Sequence, residues 1–324
     1  MKTHDSGTDQ PRVSLSGLGL AAVAVLMFSG TVPATRLAVR TIDPTVVGVG
    51  RSVLGAVIAA GYLLAVRAHR PRRDQMVSVM VVALGAAVGF GWFTSQALRT
   101  VSSTHGSIVL GLLPAMTAIF GVIRTGSRPR PMFWLATGCG TVVVVAYSLT
   151  SGGTLSLGGG DILLLAALVL AAAAYAEGGR LARSMPGGQV IAWGLVAALP
   201  LSIPLTLVAL ARTPWHPSLE SLAALGYMAV FSVFVGMLLW YRGMAIAGVP
   251  RVSAVQLAQP LLAVILSWLL LGETLRPAAI AAVLVLICVG AAQRARFEPV
   301  AREGGTNTGP LAQAGHADAL KLEA

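Results

Sequence analysis

An all-α integral membrane fold, ten transmembrane helices arranged as two inverted five-helix repeats, is predicted by three features of this sequence. The first is composition: the 324 residues are 56% hydrophobic and 11% charged, where soluble domains carry about 25% charged residues. The second is the bunching of those charges at Arg67 to Asp74, Arg124 to Arg130, Arg180 to Arg183 and from Arg294 onward. Between the bunches run apolar stretches of roughly 20 residues, the length a helix needs to cross about 30 Å of hydrocarbon. The third is a set of residues that recurs at one offset along the chain. In lipid every backbone N–H and C=O must be paired within the protein, so apolar runs of this length are helices. The short alternating segments of a membrane β-barrel do not occur.

The spans follow in order, each bounded by turn or charge chemistry. A polar tail, 1–15, precedes the span 16–36, and without a convincing cleavage site that span reads as a retained helix. Asp43-Pro44 opens 44–66, and the basic cluster after it separates 76–98, which a short turn joins to 104–123. Arg128-Pro129-Arg130-Pro131 precedes 132–149, closing a first repeat over 16–149. Gly158-Gly159-Gly160-Asp161 leads into 161–183, with Asp161 expected as its N-cap. The spans 189–211, 219–243, 250–271 and 277–293 complete a second repeat over 161–293. The tail 297–324 is polar, Gly- and Ala-rich and of mixed charge, and is expected to be disordered.

The formal net charge of +11 does not make this a nucleic-acid-binding chain. Its basic residues sit at loop ends beside apolar runs, and no basic helix is interleaved with aromatics. With the N-terminus placed in the cytoplasm, alternate loops collect most of the 23 Lys and Arg residues on the cytoplasmic side. That bias predicts a multi-pass protein of the plasma membrane, a bacterial inner membrane, with both termini cytoplasmic and an even number of spans. Cys139 and Cys288 each lie inside an apolar run and read as small packing residues, not as a disulfide or metal site. No cofactor is expected.

At an offset of 146 residues Ser107 falls on Ser253, Val109 on Val255, Pro114 on Pro260, Gly126 on Gly272 and Pro131 on Pro277. Each half holds five spans, an odd number, so the second copy crosses the membrane with opposite polarity. Inverted repeats of this kind recur in secondary transporters, whose substrate sites lie near the midplane between the halves.

The stretch Tyr241-Arg242-Gly243-Met244-Ala245-Ile246-Ala247-Gly248, then Ser253 to Pro260 and Leu270-Leu271-Gly272-Glu273, resembles the closing half of an EamA repeat. That repeat defines a branch of the drug/metabolite transporter superfamily. Phe28-Ser29-Gly30, Asp43-Pro44, Arg51 and the run Gln96-Ala97-Leu98 to Pro114 give the first copy a similar look. The resemblance covers about residues 16 to 293 and implies a central cavity lined by the first, third, fourth, sixth, eighth and ninth spans. It also implies transport of small metabolites, often amino acids or related compounds, frequently outward. The sequence departs from the family pattern at Gly126-Ser127, where a Gly-Glu pair like Gly272-Glu273 is expected, and at Phe28, where tryptophan is common.

Several residues are candidates for the substrate path. Ser253, Gln256, Gln259 and Pro260 share one helical face. Polar side chains are costly toward lipid, so this stripe faces the bundle interior, either lining a substrate path or hydrogen bonding between helices. Ser107, its repeat mate, belongs to the same set. Pro114 and Pro260 are hinge candidates, since each removes a helical hydrogen bond and bends the chain. Trp92, Tyr175, Trp240 and Tyr241 suit an aromatic cavity wall or a membrane-interface belt.

Glu177 is the candidate for proton coupling, and its alternative is an i, i+3 pair with Arg180. Arg51, about two turns inside its span, is expected to snorkel or pair, with attraction of an anionic substrate group as the alternative. Glu273 is expected as a cap or in an interfacial salt bridge, and His105 and Arg242 at the interface.

An intramembrane enzyme is the rival class. Gly158 to Asp161 fits a Gly-x-Gly-Asp pattern, but Asp161 opens a helix and no second aspartate lies inside a span to form a dyad. No His-Glu-x-x-His, Gly-x-Ser-x-Gly or P-loop motif occurs. The chain is therefore expected to be a secondary transporter and not an enzyme. A facilitative channel or a non-transporting scaffold is the alternative.

Overall fold

The computed structural model describes residues 15–125, 158–247, 252 and 255–273, with scattered residues in 128–143 and 280–298. The expected spans 132–149 and 277–293 fall mostly outside the described residues. Eight apolar helices are described: α1 (Ser16–Ala38), α2 (Val46–Ala65), α3 (Arg73–Ala97), α4 (Ser103–Gly121), α5 (Gly159–Leu181), α6 (Gly187–Arg212), α7 (Leu219–Ala247) and α8 (Gln259–Leu271). The first seven are long and apolar enough to cross a membrane. Helix α8 has 13 residues and continues a 3-10 turn at Gln256–Ala258. Phe297–Glu298 of the tail pairs antiparallel with Arg128–Pro129, an interaction the composition of the tail gives no sign of.

The main contacts run between the halves: α1 packs on α7 and α8, α2 on α6, α3 on α5, and α4 on α5 and α8. Exchanging repeat-equivalent helices (α1 for α5, α2 for α6, α3 for α7, α4 for α8) leaves this set unchanged, as two-fold-related repeats require. Local backbone follows the same equivalence in part: α2 is π-helical over Val46–Gly50, where the matching stretch of α6 is α-helical. Helix α3 is π-helical over Ala83–Gly89 and α7 over Met228–Gly236, and residue 83 falls on 229 at the offset of 146. Pro114 and Pro260 do not kink continuous α-helices as expected. In α4 the chain turns at Gly111–Leu112 and Pro114 stands in the first turn of the segment that restarts at Leu113. Pro260 stands likewise in the first turn of α8. In a first turn the missing N–H breaks no helical bond, so both prolines fit without cost.

Capping holds one end of the bundle together. Ser102 caps α4, its hydroxyl accepting from the His105 N–H at 3.1 Å. Gly158, and not Asp161, is the N-cap of α5. Asp161 sits three residues on and accepts the Gly158 N–H at 3.0 Å, so the acid serves the helix start from inside the first turn. Helices α2 and α3 approach closely at Gly48, where a Cβ would lie 2.4 Å from the Gly91 carbonyl oxygen. Backbone on both sides leaves nothing free to yield, and small residues at such crossings are what let membrane helices pack. Gly48→Ala is expected to reduce the yield of monodisperse protein in detergent size-exclusion chromatography. Gly61→Ala, facing open space in the same helix, is expected to leave that yield unchanged.

Candidate functional site

Two adjoining cavities lie where the halves meet. The larger lies between helices of both halves, a common place for small-molecule sites. Every described helix contributes to it: Phe28, Thr31 and Val32 from α1, Phe90 from α3, Tyr175 from α5, Ser232 from α7 and Gln259 from α8 among them. Arg51 of α2 and Ile191 of α6 also line it, so the six-span lining that the resemblance implied is extended by both members of a repeat pair. The π-helical turns shape the walls. Ala86 and Ser232, equivalent at the 146 offset, both face this space from within them.

The smaller cavity holds Ser107 and Pro114 from α4 with Gln256, Gln259 and Pro260. The repeat-related prolines thus flank one space, and Gly111 lets them approach: a Cβ there would sit 3.0 Å from the Pro260 ring. Gln259 belongs to both cavities and accepts at Oε1 from Gln256 Nε2 at 3.4 Å. The Oε1 of Gln256, a residue 1% exposed, has no partner among the described residues. Ser253 lies outside the described residues. Ser107 donates to the Ser103 carbonyl at 2.8 Å, the intrahelical bond expected of a packed serine.

The aromatic candidates divide. Tyr175 lines the larger cavity. Trp240 stands behind its wall, packed edge-on against Phe28 with centroids 5.9 Å apart and tilted against Tyr175 at 6.1 Å. Trp92 packs against Phe93 and does not line either cavity, and Tyr241 is fully buried with its hydroxyl directed at the Ala174 carbonyl. Phe90, Thr31 and Ser232 belong to the site and were not anticipated. The repeat offset carried the signal for Ser232, as the counterpart of a position on the third span.

The polar residues near the helix ends behave as ties. Glu177 is buried and its Oε1 takes Ser78 Oγ at 2.7 Å, Arg180 Nε at 3.0 Å and the second Arg180 nitrogen at 2.6 Å. That arrangement fixes α3 to α5 at one end of the bundle. His105, expected near a span end, stands in the first turn of α4. It is buried, with Nε2 2.6 Å from Asp161 Oδ1, joining α4 to α5 at the opposite end. At that same end Glu273 accepts the backbone N–H of Ser103 at 2.9 Å and of Thr104 at 2.7 Å. Its carboxylate satisfies two of the orphan donors of α4 and suits the positive end of the helix dipole. Gly272, with φ 67° in the left-handed region, makes the turn that aims it. Arg51 neither snorkels nor pairs. It is 1% exposed, and none of the ion pairs among the described residues includes it.

The model of the EamA-like transporter family matches residues 15–149 and again 158–292. The chain belongs to this family. It is 40% identical over 273 residues to the uncharacterized transporter YdeK of Bacillus subtilis, covering 84% of this chain and 95% of that one. It is 25% identical over 254 residues to the uncharacterized inner membrane transporter YedA of Escherichia coli K12, covering 77% and 81%. A solved crystal structure matches with a TM-score of 0.65 at 19% identity, over 86% of this chain and 96% of that one, a likeness of fold alone. This EamA-family protein is thus a multi-pass membrane protein with the two-repeat architecture. Its Gly272-Glu273 pair is a structural clamp across the halves. Glu273→Ala, which removes two charge-assisted hydrogen bonds, is expected to cost about 2 kcal/mol of stability, read as a lowered melting temperature in detergent. Glu273→Gln is expected to recover part of it.

Proposed function

We propose that this protein is a secondary transporter that exports small amphipathic metabolites, amino acids or related compounds, by alternating access of its two repeats. The observation that carries this reading is the larger cavity: a mixed polar and aromatic space lined by residues of both halves and by repeat-equivalent π-helical turns. Such a space is dispensable in a scaffold, and π-helical turns concentrate at functional sites. A small apolar cluster including Ile42, Val46, Leu225 and Met228 packs toward the Glu273 end and supplies one gate. In this reading both termini are cytoplasmic and the membrane is the bacterial inner membrane, which places the Glu273 end outside. The names of the relatives support transport over enzymatic chemistry.

Proteoliposomes preloaded with an unlabelled amino acid or metabolite mixture are expected to accumulate the matching labelled compound by counterflow, saturably. A channel gives no counterflow. Gln259→Leu, which removes the amide common to both cavities, is expected to lower that rate at least tenfold while the elution profile stays monodisperse. Gln256→Leu is expected to act in the same direction. Protons are the coupling ion this reading considers, with Glu177 as the candidate acid. Its three donors favour the pairing role, so Glu177→Gln is expected to lower the melting temperature and leave the response to a proton gradient unchanged. A lost gradient response in a folded Glu177→Gln variant assigns coupling to that carboxyl.

A further inference from the structure

We propose that Arg51 is an anion subsite, and that the transported molecule is an organic anion whose charged group meets this guanidinium while its apolar body lies against Phe28, Phe90 and Tyr175. The inference rests on the transporter reading and narrows its substrate class. A guanidinium buried in a membrane bundle is costly unless paired, and charged residues there mark ligand and ion paths. Arg51 is 1% exposed and lines the larger cavity. Its hydrogen bond goes to Met228 Sδ at 3.7 Å, and a thioether is a weak acceptor. Its Nε has no partner among the described residues. The guanidinium carbon stands 5.6 Å from the Phe90 ring centroid, a contact that steadies a cation without neutralising it.

The surroundings select the sign of the ligand. None of the described side chains lining either cavity is acidic, so a ligand cation finds no counter-charge and an anion finds a desolvated one. The planar fork of arginine matches a carboxylate or phosphate oxygen pair. Residue 91 is glycine, and a Cβ there would stand 2.9 Å from one Arg51 nitrogen and 3.1 Å from Nε, so α3 packs closely against one side of the guanidinium and the side toward the cavity is the one a ligand meets. Thr31 and Ser232, whose hydroxyls are 2.7 Å apart, and Gln259 add neutral donors along the same wall. The cavity walls near the charge are aromatic, which fits an amphipathic anion better than an inorganic one.

The test uses the full-length protein in detergent and the melting temperature as a binding readout. The probes are phenylacetate and phenyl phosphate, set against the neutral phenylacetamide and the cationic phenethylamine. Concentration-dependent stabilisation by either anion, absent or at least tenfold weaker for the neutral and cationic analogues, is expected. The two anions distinguish a carboxylate substrate from a phosphate ester. Arg51→Gln is expected to weaken anion binding at least tenfold, and Arg51→Lys to restore part of it. Equal stabilisation by all four probes, or no stabilisation by the anions, overturns the proposal without recourse to any variant. So does unchanged anion affinity in a folded Arg51→Gln. Counterflow of a neutral compound at equal rates in wild type and Arg51→Gln overturns the anion subsite while leaving the transporter reading standing. Counterflow of nothing in a broad metabolite panel overturns the transporter reading itself.

Discussion

Lipid does not press helices together as water does, so this bundle depends on close approach and hydrogen bonding between its two halves. Neither half is self-sufficient. The strongest helix pairings cross from one repeat to the other, and the polar ties do the same: Ser78 of α3 to Glu177 of α5, His105 of α4 to Asp161 of α5, Ser103 of α4 to Ser267 of α8 at 2.7 Å. Even the start of α4 is completed from the other repeat, since its first free N–H groups are taken by Glu273. A buried helix end without partners is costly in water and more so in hydrocarbon. The Gly-Glu turn answers a need of the opposite half, which explains why an acid placed just after a span in the sequence acts on a helix 169 to 170 residues away.

The cavity is a consequence of how the halves meet. At their contact the prolines restart two helices and the π-helical turns widen two others, so the walls cannot close on one another as smooth α-helices would. The space left is small, polar on one side and aromatic on the other, and it is the place where the repeat symmetry is broken. Ala86 and Ser232 are equivalent in position but differ in chemistry, and the buried Arg51 finds no cationic counterpart among the lining residues. A symmetric frame carrying asymmetric side chains fits the proposed transporter, in which one ligand binds in one orientation between two halves of like build.

Much of the architecture was legible because its causes are written in single residues and their spacing. Hydropathy runs and charge clusters placed the eight described helices, since lipid imposes a length on such runs. The offset of 146 carried the duplication, and it reached into backbone detail no hydropathy pattern holds, the matched π-helical turns. What could not be read were the partners. His105 and Asp161 are 56 residues apart and each looks interfacial alone. Only the packing of α4 on α5 brings them to 2.6 Å. Asp161 looked like an N-cap because it stands at a helix start, yet Gly158 takes that place. Arg51 was read as close enough to the surface to reach it, which counted turns along its own helix and ignored what covers it. The Gln256 and Gln259 stripe was found because helical periodicity is local, whereas its facing wall, Thr31 and Ser232, comes from two other helices.

The position of Arg51 also bears on how occupancy would reach a gate. Its hydrogen-bonding partner, Met228, is a member of the apolar cluster toward the Glu273 end, and Met228 also accepts from Thr35 at 3.0 Å. One residue therefore touches both the cavity charge and the packing that covers it. A ligand shifts a conformational equilibrium only by as much as it binds one state better than the other. An anion that replaces a weak thioether contact on Arg51 with strong charge-assisted bonds acts on the residue shared with the cover. Met228 is also where the π-helical turn of α7 begins, the segment whose backbone hydrogen bonding departs from the α-helical pattern. Charge, apolar packing and a π-helical stretch thus meet at one methionine, which in the proposed mechanism links a bound anion to that end of the bundle.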